Sequence, residues 1–325
     1  MRVLYINSGG IDYLQDLLRS GLRKLLGRDL IDWGWNKRYH LPLWSHPENM
    51  GYAGLCLPTL ADFSKYRDID AVVIGACKRE ALERYLKIQK LISKRTKVIF
   101  IDGGDEPELG GDLRRESAFH LLHEMMTYRE PDLLFKRELL KDIEVARVKP
   151  LPMAFNLDAL ESLRKVKKQY QVAFWAVESH PIRTEVLAVL ETQFDCKENG
   201  TTRGQMFSKY HRKGQRYLEE LAACRIVLNF RGAGWDTLRY WEAPAIGSLL
   251  VSQKPQIVIP NDFIHGEEVI HIGVDFQEML DVCKHYLNNA ARAEDIAENA
   301  HAKLKKFHTD VARADNVLRE LRQIL

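Results

Sequence analysis

The residues best suited to chemistry cluster between Ile226 and Ser252. There a short apolar run is followed by a bend built on Arg231-Gly232-Ala233-Gly234 and by a stretch opening at Asp236-Thr237. Gly232 and Gly234 let the backbone pass close to a ligand. A helix starting just beyond them offers unpaired N–H groups and partial positive charge to a diphosphate. Arg231 and Arg239 could add bidentate contacts to phosphate oxygens. Glu242 lies three residues after Arg239 on nearly the same helical face, and its carboxylate could accept both hydroxyls of a ribose. The plainer alternative has Asp236 capping the helix and Arg239 and Glu242 forming a surface pair. A second cluster is Ser179, His180 and Arg183, where another helix begins. These could contact phosphate or base, or could simply cap the helix. Arg203 is a further basic candidate, and Asn229 fits a role in satisfying backbone groups at a strand end.

The first half carries different chemistry. Asn7-Ser8-Gly9-Gly10 follows an apolar run, and Gly9 and Gly10 would let a substrate approach, with Asp12 beside them as a possible general base. Ile101-Asp102-Gly103-Gly104-Asp105-Glu106 supplies three carboxylates, of which Asp102 or Asp105 could take a proton from an acceptor hydroxyl. An Asx turn using the two glycines explains the same residues without catalysis. A divalent cation on Asp102, Asp105 and Glu106 is a further alternative. His120-Leu-Leu-His-Glu124, however, does not follow the H-E-x-x-H zinc pattern, and no metal site is expected.

These residues must be held by alternating short apolar runs and longer amphipathic stretches, the pattern of parallel βαβ units. In the first half, strands are expected at Val3–Asn7, Ala71–Gly75, Val98–Asp102 and Leu133–Lys136. Helices are expected over Asp12–Leu26, Arg79–Ser93 and His120–Met126, with a long loop over Trp33–Pro58. In the second half the expected strands are Tyr170–Trp175, Arg225–Asn229 and Leu249–Ser252. Helices are expected over Ile182–Thr192, Gln205–Ala223 and Thr237–Ile246, and two or three more over Phe276–Leu325. A polar, lysine-rich stretch after Pro150-Leu151-Pro152 places the junction near Ala154–Lys168. The expected domains are 1–155 and 156–325, with the last helix packing back on the first domain. Ligands of open α/β sheets bind beyond the carboxyl ends of the strands, so the cleft between two such domains is the expected site.

The 325 residues suit two domains. With 48 basic and 45 acidic residues, the formal charge of +3 is too balanced for a dedicated nucleic-acid binder. No apolar run reaches the roughly 20 residues of a membrane span. The start turns polar after six residues, unlike a signal peptide. The five scattered cysteines form no C-x-x-C pair, so a reducing cytoplasm is the expected setting. The basic run Arg19–Arg28 could add peripheral contact with an anionic membrane or acceptor, although a solvated helix face is the commoner explanation.

Arg239-Tyr-Trp-Glu-Ala-Pro-Ala-Ile-Gly-Ser-Leu-Leu-Val251 resembles the R-x-x-E-A-x-A-x-G-x-x-x-V segment of GT-B glycosyltransferases. It is most similar to the branch related to the spore-maturation protein CgeB. The resemblance extends through Ile264–His271 and Phe276–Ala300 to His308-Thr309 and Arg313. In the first half only Phe135-Lys136-Arg137-Glu138 also resembles a motif of such proteins. The resemblance implies a GT-B fold, with two facing Rossmann-like domains, a nucleotide-sugar donor on the second and a hydroxyl acceptor on the first. The acceptor could be a glycan, a lipid, a small molecule or DNA. It further implies that Glu242 binds the donor ribose, that Arg231 and Arg239 face the diphosphate, and that basic groups and a helix dipole replace a metal, so no cofactor is expected. Retaining GT-B enzymes often carry a second glutamate eight residues before the ribose glutamate, where this sequence has Gly234. The expected function is transfer of a hexose-like sugar. The alternatives are a non-catalytic nucleotide-sugar binder of the same fold and a glycosyltransferase acting on DNA.

Overall fold

The computed structural model describes residues 1–41, 45–49, 68–143, 147–157, 161–205 and 214–325. Two parallel sheets form two lobes. The first lobe runs β1 (Val3–Ile6), α1 (Tyr13–Leu26), β2 (Leu30–Trp33), β3 (Ala71–Ile74), α2 (Arg79–Ile88), β4 (Lys97–Asp102), α3 (Gly111–Arg115), α4 (Phe119–Tyr128), β5 (Leu133–Lys136) and β6 (Val148–Pro150). Its strand order is β2-β1-β3-β4-β5-β6, so the chain reverses direction across the sheet between β1 and β3. The loops leaving those two strands therefore border a crevice at a topological switch point.

The second lobe continues with β7 (Tyr170–Ala173), α5 (Pro181–Leu190), α6 (Cys196–Asn199), α7 (Gly214–Ala222), β8 (Cys224–Asn229), α8 (Leu238–Ala245), β9 (Leu249–Gln253), β10 (Ile270–Ile272), α9 (Phe276–Asn288), α10 (Ala290–Phe307) and α11 (Asp310–Arg322). Its order is β10-β9-β8-β7. The central strands β1, β3 and β4 are buried almost throughout, as are β8 and β9. Such strands read as continuous Val/Ile/Leu runs because helices cover both faces.

Several expectations change in detail. β2 and β6 lie where no strand was expected, since four and three residues give too short a pattern to recognise. α2 ends at Ile88, not Ser93. Part of the expected Trp33–Pro58 loop, and residues 206–213 of the expected Gln205–Ala223 helix, lie outside the described residues.

The final helix packs back on the first lobe, as expected. α11 lies against α1 so closely that a Cβ on Gly21 would sit 2.6 Å from the Asp310 carbonyl carbon and 2.8 Å from the Ala314 Cβ. Ser20 Oγ donates to Asp310 at 2.7 Å, and Lys24 pairs with the same carboxylate at 2.9 Å. At the crossing between lobes, Phe155 N donates to His308 O and Asp310 N donates to Phe155 O. The Arg313 guanidinium donates to the carbonyls of Pro152, Met153 and Phe307 and to His308 Nδ1. His308 Nε2 in turn donates to Asn261 O, and burial pushes this imidazole down to about 3, so it stays neutral.

Much of the basic run Arg19–Arg28 is paired within the protein, while Arg28 is exposed. Arg19 is fully buried, forks onto Asp32 at 3.0 and 2.8 Å, and lies 4.3 Å over the Tyr39 ring. Arg23 joins the same carboxylate, and Lys24 goes to Asp310. The charges of Arg19, Arg23 and Lys24 are thus met by acids of the protein.

Candidate functional site

The second lobe presents its crevice at the carboxyl ends of β7 and β8, and glycine lets the two loops close on one another. A Cβ on Gly232 would fall 2.9 Å from a terminal nitrogen of Arg183 and 3.0 Å from Ser179 Oγ. Arg183 is nearly buried and donates to the carbonyls of Val177, Phe230 and Arg231 and to Ser179 Oγ. Sequence reading offered Ser179 and Arg183 as phosphate or base contacts. The fold uses Arg183, with Ser179, as a tie between two loops. His180 caps α5, with Nδ1 accepting from Ile182 N at 3.2 Å. Burial and the neighbouring charges of Arg231 and Arg183 hold its ring below the ordinary histidine value. Arg231 and Arg183 thus bring a locally positive field to the start of a ten-residue helix.

Arg231 supplies much of that field. Its guanidinium lies 4.5 Å over the Trp235 ring and donates to Ala233 O, and it meets no carboxylate among the described residues. Its Nε is buried without a partner. Arg239 also lacks a carboxylate, but it is turned inward: it donates to Trp175 O and lies 5.3 Å from the Phe174 ring. Glu242 stands at the lobe boundary. His46 Nε2, from the first lobe, meets its Oε1 at 2.8 Å, and Tyr217 Oη donates to its Oε2 at 2.7 Å. Burial opposes its ionisation, yet these two hydrogen bonds and the charges of His46 and Arg239 leave the carboxyl below its ordinary range. Arg239 and Glu242 are therefore not a surface pair, and the oxygens assigned to a ribose are engaged by protein groups.

Two expected helix-start residues have other work. Asp236 does not cap α8; its carboxylate accepts from Met153 N at 2.5 Å and from Trp241 Nε1 at 2.8 Å, which joins α8 to the inter-lobe crossing. Thr237 donates to the Asn229 side chain at 2.7 Å, and Asn229 donates to Ser252 Oγ. Arg203 donates its backbone N–H to Glu191, and, after the hydrogen bond from Thr184, its charge helps to hold Glu178 below the ordinary glutamate value.

On the first lobe the candidates separate clearly. Asp102 is fully buried and accepts from Lys136 Nζ at 3.0 Å, Gly104 N at 3.1 Å and Gly110 N at 2.9 Å. Its oxygens are committed, so it organises the loop and is not positioned to take a substrate proton. Asp105 is half-exposed and paired with Arg137, and Glu106 is paired with Arg115. These three acids thus have three cations, and no group of three or more His, Cys, Asp or Glu could hold a metal among the described residues. The Gly9 and Gly10 N–H groups donate to Glu80 and to Ser8 Oγ.

Asp12 differs from the other acids. Its Oδ1 caps α1 by accepting from Gln15 N at 2.9 Å, and among the described residues it has no ion pair. It faces Gly103, where a Cβ would meet its two oxygens at 2.9 and 3.1 Å. Burial pushes its carboxyl above the ordinary aspartate value. Perturbed acids in a crevice are candidates for proton transfer.

One group was missed as part of the site. The β4–β5 register sets Asp102 opposite Lys136. The next two residues then reach outward: Arg137 to Asp105, and Glu138 across to the second lobe. Glu138 accepts from Trp235 N at 2.8 Å and Asp236 N at 2.9 Å. A Cβ on Gly234 would lie 2.7 Å from the Glu138 carboxyl carbon, which explains the glycine there. Although burial opposes it, the surrounding acids Asp105, Glu138, Asp236 and Asp12 hold Arg137 above the usual arginine value. The signal in the sequence was a Lys-Arg-Glu run at one strand end beside Asp-Gly-Gly-Asp at its neighbour's.

Residues 159–319 match a family described as glycosyl transferase-like. The whole chain is similar in fold to HepE from Anabaena, solved in complex with UDP-glucose. That match has a TM-score of 0.62 and 12% identity, over 99% of this chain and 100% of that one. It is also similar to sucrose-phosphate synthase from Thermosynechococcus elongatus (TM-score 0.60, 10% identity, 100% and 99% covered) and to a glycosyltransferase from Rickettsia africae (0.58, 13%, 99% and 98%). No curated protein matched. The architecture is the GT-B fold.

Proposed function

We propose that this glycosyl transferase-like chain moves a hexose-like sugar from a nucleoside diphosphate donor on its second lobe to a hydroxyl acceptor on its first. The observation that carries the reading is the uncompensated positive field at the carboxyl ends of β7 and β8. Arg231 stands there beside the start of α5 with no carboxylate ion pair among the described residues. A diphosphate supplies the missing charge, and the positive end of the α5 dipole favours it there. Since HepE was solved with UDP-glucose, a uridine donor is the first to test. The resemblance to the CgeB-related branch gives the same assignment of lobes.

The chemistry divides between the lobes. Arg231 and the α5 dipole neutralise the leaving diphosphate without a metal, and neutral His180, whose Nδ1 accepts from Ile182 N, can donate a hydrogen bond from Nε2. Asp12 accepts the acceptor hydroxyl proton as the new glycosidic bond forms and the bond to the diphosphate breaks. Its raised value keeps it basic enough for that role and sets the acid limb of the rate profile above that of an ordinary aspartate. Glu242 reaches a donor ribose only if His46 cedes Oε1, so donor binding and the 45–49 segment are linked. The balanced charge favours a neutral hydroxyl acceptor over DNA.

A thermal-shift panel of UDP, GDP, ADP, TDP and CMP compounds tests the reading. One nucleotide class should raise Tm well above the rest, as selective binding to the folded state requires. A flat panel at millimolar concentrations would remove the donor site.

A further inference from the structure

Glu138 belongs to the first lobe, yet its carboxylate is nearly inaccessible and bonded to the second. The two N–H groups it receives, from Trp235 and Asp236, lie in the bend between Gly234 and α8. No hydrogen bond within the bend uses them; its internal bond runs from Gly232 N to Gly234 O. An isolated buried carboxylate is costly, and here Arg137 lies alongside, with Nε 3.5 Å from Glu138 Oε1. Fixing the Trp235 backbone also fixes its ring, which is the platform under Arg231 at 4.5 Å.

We propose that Glu138 is a positioning residue for the donor phosphates: acting from the opposite lobe through Trp235, it aims the Arg231 guanidinium. This rests on the donor-site reading above. It adds that the phosphate contact is correct only when the first lobe holds its present place against the second. Gly234 serves the same arrangement, because any side chain there would displace the carboxylate.

A double-mutant cycle tests it, using whichever nucleoside diphosphate of the panel binds wild type most tightly and calorimetry for affinity. Glu138→Gln keeps the shape but can accept only one of the two N–H groups. It should weaken binding about tenfold, the scale of one lost bond to a charged group. Arg231→Ala should cost at least as much. The double variant should bind no more weakly than Arg231→Ala alone, since coupled residues are non-additive. Gly234→Ala, which pushes the carboxylate aside without removing it, should reproduce the Glu138→Gln loss. Multiplicative losses, or a lower Tm with unchanged affinity in Glu138→Gln and Gly234→Ala, would overturn the proposal and leave the donor site standing. Absence of any nucleoside diphosphate binding by wild type would overturn both.

Discussion

The crevices of the two lobes are electrostatic opposites. In the first, acids are met by cations: Asp102 by Lys136, Asp105 by Arg137, Asp112 by Lys78 and Asp16 by Arg38, while Asp12 has no ion pair among the described residues. In the second, Arg231 and Arg239 have no carboxylate ion pair among the described residues, and burial together with the charges of Arg231 and Arg183 depresses His180. One crevice is self-neutralised around a single unpaired base, and the other is short of negative charge. On the proposed reading, that asymmetry separates a site for a neutral hydroxyl from a site for an anion.

The strongest way to break the contrast is to neutralise the unpaired base. Asp12→Asn keeps an N-cap of similar strength for α1, so the fold should persist. Turnover, followed as nucleoside diphosphate release, should fall about 10²–10⁴-fold with donor affinity unchanged. Undiminished turnover would move the proton-accepting role to Asp105.

Next in size is the joint that holds the crevices face to face. Gly21→Ala drives a methyl into the Asp310 backbone, where neither helix can yield cheaply. Overpacking of this kind costs about 1–3 kcal/mol or more, so Tm should drop by many degrees. A change in Tm within a degree would mean that α1 and α11 separate freely.

A smaller effect sharpens the anionic side. Arg231→Ala should weaken nucleoside diphosphate binding about 10–30-fold while leaving Tm nearly unchanged, because the side chain makes only one protein hydrogen bond. Equal affinity in wild type and variant would assign the phosphates elsewhere.

The smallest effect concerns Asp16 in the first crevice. Burial pushes its carboxyl up to about 7, against the opposing pull of Arg38 at 3.0 Å. A folded value above the unfolded one means a contribution present below about pH 4 and lost as pH rises through 7. The Asp16 contribution should therefore fall from pH 5 to 8, against the rise that buried neutral His308 and His271 give below about 6.5. The difference in stability between wild type and Asp16→Asn should change by on the order of 1 kcal/mol over that range. A wild-type minus variant difference that rises with pH over that range would show that the ion pair outweighs burial.

The alternation of Val3–Asn7, Ala71–Gly75, Val98–Asp102 and Arg225–Asn229 with amphipathic stretches made the two parallel sheets legible. Strands buried on both faces must be continuously apolar, and helices must cover them. Arg231 and Gly232 also stood out, because a glycine bend after such a strand has few other uses. Asp102 could not be told from Asp12 in the sequence: both are aspartates after a strand, and only strand register put Lys136 opposite one of them. Arg183 likewise looked like a phosphate contact until its donors were seen on three carbonyls. Glu138 and Gly234 are 96 positions apart, and no local pattern connects them.

The sequence by itself determined which segments become strands and helices, and that the second half carries the glycine bend. These follow from short-range rules of side-chain period and backbone freedom. Tertiary structure alone decided which charges are spent internally and which remain for a ligand. Pairing depends on distances between residues far apart in the chain, and those distances exist only once both lobes have folded and met.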